Sequence, residues 1–118
     1  MRQKMREAHT ASRGMVDIKQ SRGGIIDVEF IVQYLVLLHA HHHPELTENI
    51  GNIALLRRLA DLHIIPAQLA EEAAQAYLEL RKHQHAMKLQ GLGKLELPAQ
   101  QVRSQVKAVQ ALWQAVME

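Results

Sequence analysis

The sequence predicts an all-α protein, a bundle of about five helices with a central apolar helix. Three observations lead there. Hydrophobic residues fill 47% of the 118 positions but aromatic ones only 3%, so the core must be built from Leu, Ile, Val and Ala, which favours packed helices over a sheet sandwich. Apolar residues recur at spacings of three and four over long stretches, the period of a helix. The most apolar run, starting at Ile25, is β-branched enough for a strand, but it is too long and too free of turn signals to be one. The length suits one domain and is too short for two.

Taken in order, residues 1–11 read as a helix with a thin apolar stripe of Met5, Ala8 and Ala11. No cap residue precedes it, so a longer natural chain is expected upstream. Residues 10–23 read as a loop in which Met15-Val16-Asp17-Ile18 forms a possible short extended piece. The second helix runs from Gly24 to about His41; Phe30, Ile31, Tyr34, Leu35, Leu37 and Leu38 leave it little polar surface, which places it in the middle of the bundle.

A connection containing Pro44 follows, and Asn49 is the expected N-cap of a third helix reaching Leu62, with Ile53, Leu56, Leu59 and Ala60 inward. Pro66 at the first helical position opens a fourth helix. It runs to about Leu89 on the seam Leu69, Ala73, Ala76, Tyr77, Leu80, Gln84 and Met87, and is closed by Gly91 and Gly93. Pro98 opens the last, with Val102, Val106, Val109, Trp113 and Val116 as a heptad-like seam.

Composition limits the function. There is no cysteine, which excludes disulfides and thiolate metal sites. No signal peptide appears, and the apolar stretch from Phe30 to Leu38 is too short to span a bilayer. The net charge of +2 conceals an asymmetry: residues 1–24 hold six cations and two anions, and the remainder eight cations and ten anions. The basic residues are not interleaved with aromatics and no helix has a dense cationic face, so nucleic acid is not an expected partner.

The chemistry concentrates between Asp17 and Gln33. Lys19 and Arg22 precede the pair Gly23-Gly24, which leads straight into the apolar helix. A glycine turn before a helix start, with two cations beside it, suits an anion such as phosphate; it equally suits a tight helix entry with solvated charge. Asp27 and Glu29 lie in the next turn, two residues apart and therefore diverging, so they cannot easily chelate one ion. Their simplest role is to complement the helix dipole.

Glu29 and Gln33, four apart, share a face and need polar partners or a cleft. His39, His41, His42 and His43 crowd one helix end, where imidazoles complement the dipole; zinc would need a ligand set that this spacing lacks, and no metal ligand is expected here. There is no nucleophile motif, P-loop or HExxH, and no close carboxylate pair for two-metal nucleotidyl transfer. No catalytic residue is expected, and the chain reads as an accessory helical domain.

The order Asp17-Ile18-Lys19, Gly23-Gly24-Ile25-Ile26-Asp27-Val28-Glu29-Phe30, Gln33-Tyr34-Leu35-Val36-Leu37 closely resembles the bacterial glutamine synthetase adenylyltransferases. Ser21 stands where that family often has glycine. The pattern occurs twice in the family, after each of two nucleotidyltransferase domains, and this version is similar to the C-terminal, adenylylating half. The run Trp113 to Glu118 resembles the natural end of such a protein.

The resemblance implies a helical domain packed on an upstream nucleotidyltransferase domain, with ATP and Mg²⁺ bound between them. It implies an enzyme that moves AMP from ATP to a tyrosine of glutamine synthetase and removes it by phosphorolysis in its other half, in the cytoplasm, under control of the PII signal protein. The fragment alone is then expected to be inactive. Lys19, Arg22, Gly23 and Gly24 become contacts to the ATP phosphates, and Asp27, Glu29 and Gln33 shape the cleft or the domain interface. PII uridylyltransferases share the Lys and Gly-Gly pattern, with a less similar continuation. A regulatory module that binds PII, glutamine or glutamine synthetase without touching ATP, or a stand-alone structural or metal-binding helical protein, are the other readings.

Overall fold

The computed structural model describes residues 14–118; the helix expected over residues 1–11 lies outside them. The described chain holds four α-helices: α1 (Ile25–His39), α2 (Asn52–Asp61), α3 (Ala67–Leu89) and α4 (Arg103–Met117). Short 3-10 turns cover Pro44–Thr47 and Ala99–Val102. Two three-residue strands, β1 (Met15–Asp17) and β2 (Glu96–Pro98), pair antiparallel with Met15 opposite Pro98. The all-helical expectation therefore holds, with a small ribbon added. The extended piece at Met15 was anticipated; its partner was not, because three residues carry no readable period.

The core is aliphatic throughout. Ile25, Val28, Ile31 and Val32 of α1 meet Leu56 and Leu59 of α2, Leu80 of α3 and Val109 and Leu112 of α4, all essentially without solvent contact. The most extensive helix contact joins α3 to α4, and α1 touches all three other helices. The predicted seam of α3 is buried from Ala73 to Met87. Only Leu69 is half-buried there, because Ala70, one position on, takes the inward place.

The ends differ in detail from expectation. The third predicted helix starts at Asn52, not after Asn49: the chain turns at Gly51 (φ 87°), so Asn49 stays in the connection. Pro66 precedes α3 as its N-cap instead of being its first residue. α2 closes with the Ile64 N–H on the Leu59 carbonyl and the His63 N–H on Ala60, which puts His63 at φ 60°. α3 closes in the same way on Gly91 (φ 74°), with the Leu92 N–H reaching Met87.

One expectation about α1 needs correcting. Its central position is real, but it is enclosed on one side only. Phe30, Tyr34, Leu37 and Leu38 are exposed, Leu37 at 81% and Leu38 at 55%. Apolarity all round shows that a helix needs cover; it does not show that four helices suffice to provide it.

Candidate functional site

The glycine turn is built by the loop that precedes it. The Asp17 carboxylate accepts the N–H groups of Lys19 and Gln20, both at 2.9 Å, and the Ser21 hydroxyl accepts the Asp17 N–H at 3.0 Å. Ser21, the departure from the family pattern, therefore pins the loop with its side chain. The Gly24 N–H donates to the Ser21 carbonyl, Ile25 to Ile18 and Ile26 to Lys19, at 2.8–3.0 Å. Inside the turn, the Gly23 N–H donates to Oδ2 of buried Asp27 at 2.8 Å.

The backbone amides from Gly23 to Ile26 all have acceptors within the chain, which closes the turn on itself. Asp27, expected to shape a cleft or interface, is 1% exposed and caps the turn from below. The glycines are required by crowding. A Cβ on Gly23 (φ 83°) would lie 2.8 Å from both the Val106 carbonyl and its side chain on α4. One on Gly24 would meet the carbonyls of Ile18, Ser21 and Lys19 at 2.8–3.0 Å. The turn is thus wedged between the β1 loop and α4.

The two cations remain outside this closure. Lys19 is half-buried and forms no ion pair with a described residue. Arg22 is exposed and lies 3.7 Å from Glu118.

Glu29 and Asp27 do diverge. Oε2 of Glu29 accepts the Tyr77 hydroxyl at 2.9 Å, and that hydroxyl oxygen accepts Nδ2 of Asn52 at 3.2 Å, so one polar chain joins α1, α3 and α2. Burial raises the Tyr77 phenol above its ordinary pKa, and the bond to Glu29 raises it further. Gln33, on the same face, is exposed. Sequence reasoning placed Tyr77 in the core without its polar handle; the only available hint was that a buried tyrosine needs a partner.

Beside this chain, between α2 and α3, lies an open cleft of about 660 Å³ lined by Asn52, Tyr77, Arg57, Arg58, Arg81 and Asp61, among others. Two of its arginines are committed, Arg57 to Glu71 at 2.9 Å and Arg58 to Glu48 at 3.0 Å. Among the described residues no three His, Asp or Glu side chains gather as a metal would require. His41 and His42 instead stack edge to face at 4.8 Å. No described helix is long and apolar enough to cross a membrane.

Comparison with known proteins gives the context. Residues 1–115 match the family model described as GlnD PII-uridylyltransferase. The chain is 47% identical over 98% of its length to the bifunctional glutamine synthetase adenylyltransferase/adenylyl-removing enzyme of Aromatoleum aromaticum. It is 44% identical over its whole length to the protein of that name from Bordetella bronchiseptica. It is 57% identical over 77% of its length to that from Nitrosomonas europaea. The chain spans 10–12% of the length of these three relatives.

Proposed function

This chain belongs to the family described as GlnD PII-uridylyltransferase, and from that premise we propose that it is the helical domain of a longer enzyme that adenylylates glutamine synthetase. The observation that carries the choice is the name shared by relatives 42–57% identical to it, which is that of the glutamine synthetase enzyme and not of the uridylyltransferase. In this reading the parent uses ATP and Mg²⁺, works in the cytoplasm and answers to PII, and the AMP-transferring groups lie on an upstream nucleotidyltransferase domain. Among the described residues no three His, Asp or Glu side chains gather as a metal would require, and the part we assign to the chain is positioning.

The closed turn changes how the chain would meet ATP. Its amides are taken, so a phosphate would be met by side chains. Lys19 is the best placed: the Asp17 carboxylate fixes its backbone N–H, Gly23-Gly24 hold the loop against α4, and its ammonium is uncommitted among the described residues. Arg22 is a second, outer cation. Glu29, held by Tyr77, and exposed Gln33 would face the neighbouring domain.

The test is kinetic, in the full-length enzyme. Lys19→Ala should lower kcat/KM for ATP about ten- to a hundredfold, the loss of one charge-assisted contact worth about 1.5–3 kcal/mol. Lys94→Ala, in the exposed loop after α3, should change it little. A loss confined to KM would mark a contact equal in ground and transition states, and a loss in kcat one that strengthens during transfer. If both folded variants behave alike, Lys19 does not touch phosphate.

A further inference from the structure

The geometry points to the cleft between α2 and α3 as an anion site of its own, one that takes the phosphate group of a small ligand apart from the Lys19 loop. Three arginines line it, Arg57 and Arg58 from α2 and Arg81 from α3. Each guanidinium is held along one edge and keeps another edge free among the described residues. Arg57 donates through Nε and Nη2 to the Glu71 carboxylate at 3.1 and 2.9 Å, which leaves Nη1. Arg58 directs Nη1 to the Glu45 carbonyl at 2.7 Å and to Glu48 at 3.0 Å, which leaves Nε and Nη2. Arg81 donates through Nη1 to Oε1 of buried Gln84 at 3.0 Å, which leaves Nε and Nη2. Guanidiniums fixed in this way lose little freedom when an oxyanion arrives.

Arg81 marks the end of the cleft at which the ligand sits. It forms no ion pair with a described residue, whereas the other two arginines each face a carboxylate. Its charge is close enough to the Tyr77 hydroxyl to oppose the rise of that phenol, and Asn52 is bonded to the same hydroxyl. Two acids are near. Asp61 closes the far end of α2, nine residues and about 13 Å from Asn52 at the rise of a helix. Glu29 stands behind the Tyr77 hydroxyl, outside the lining. The first amides of α2 open into the same end of the cleft, and no described side chain caps them. Amides alone would suit water; the guanidiniums select an anion.

The class of ligand follows from the donors. They come from two helices and several directions, which suits the tetrahedral oxygens of a phosphate better than the two coplanar oxygens of a carboxylate. The cleft measures about 660 Å³, within the range of small-ligand pockets. It is also separate from the Lys19 loop, which packs on β2 through Ile18 and on α4 through Gly23.

The experiment modifies arginines of the full-length protein with phenylglyoxal and follows each site by peptide mass spectrometry, with inorganic phosphate as the probe. Near saturation, phosphate should slow modification of Arg81 and Arg58 about tenfold, as when only about a tenth of the sites stays empty. Arg103, exposed at the start of α4, should be slowed far less. Succinate at matched ionic strength should protect little, which separates a phosphate site from a carboxylate site and from screening. In Arg81→Gln, with its fold checked by circular dichroism, half-protection of Arg58 should need about ten- to a hundredfold more phosphate. Protection of Arg81 should persist in Lys19→Ala. Equal slowing at Arg103, equal slowing by succinate, protection of Arg58 unchanged in Arg81→Gln, protection lost in Lys19→Ala, or no protection would each overturn the assignment. The kinetic test of Lys19 can fail while this protection stands, so the two sites are judged separately.

Discussion

Replacing four glycines by alanine separates two costs that the glycine turn combines. Gly93 has an ordinary backbone conformation and nothing within 4 Å of a built Cβ, so Gly93→Ala should be neutral or stabilising by up to about 1 kcal/mol through the unfolded chain. Gly91 also has open space but sits at φ 74°; its alanine should cost about 1 kcal/mol, the left-handed penalty alone. Gly24 shows the opposite case, with no left-handed strain but three backbone oxygens within 3.0 Å of a Cβ. Backbone atoms cannot swing aside like a side-chain tip, so about 1–3 kcal/mol of overpacking is expected. Gly23 combines φ 83° with the Val106 carbonyl at 2.8 Å and should lose about 2–4 kcal/mol. In urea, with a slope of about 1–3 kcal/mol per molar, that moves the midpoint by roughly 1–2 M. Urea titration of the 118-residue chain, followed by circular dichroism, gives the order Gly93, Gly91, Gly24, Gly23. A Gly23→Ala midpoint no lower than that of Gly91→Ala would refute the packing argument and reopen a ligand role for the turn.

Other groups of the site make separate predictions. Asp27→Ala leaves the buried Gly23 N–H without its acceptor and should cost about 1–3 kcal/mol; Asp27→Asn, whose amide oxygen can still accept, should cost clearly less, and equal losses by denaturation would exclude the capping role. Tyr77→Phe breaks the bond to Glu29 and should cost about 1–2 kcal/mol. Because the folded protein holds the Tyr77 proton more tightly than the unfolded chain, this group's stabilisation is complete below the ordinary tyrosine pKa near 10 and fades as pH rises through the raised folded value. Unfolding measured from pH 8 to 11 should therefore show a steeper alkaline loss in the wild type than in Tyr77→Phe.

What the sequence made legible follows from what is local. The seam of α3 could be read because twenty-three residues repeat one period, and the Gly23-Gly24 turn because a glycine pair before an apolar run has few other uses. Whether its amides were free could not be read. That depended on Asp27 folding back on Gly23 and on the carbonyls of Ile18 and Lys19 arriving at the helix start, distances that no spacing rule reports. The Glu29–Tyr77–Asn52 chain joins positions far apart in sequence, so its pairing appears only once the helices are packed. The bare side of α1 escaped for a different reason: hydropathy says that a helix is apolar, and which of its faces stays bare is set by how the other helices pack on it.

The ribbon of β1 and β2 has a consequence for the order in which the molecule assembles. It ties Met15 to Pro98 across about 80 residues, and closing such a loop costs about 4 kcal/mol of chain entropy for a ladder only three residues long. So short a ladder cannot lead folding. The neighbouring helices α3 and α4, whose contacts are near in sequence, should meet first, and the ribbon should fasten last, when α4 is in place to receive Gly23. By the same logic residues 14–24 are expected to be the first to open in the native state. Amide hydrogen exchange would register this as weaker protection of Ile18 and Gly24 than of Leu80. The loop that carries Lys19 is then a clasp, opening on its own while the bundle behind it stays shut.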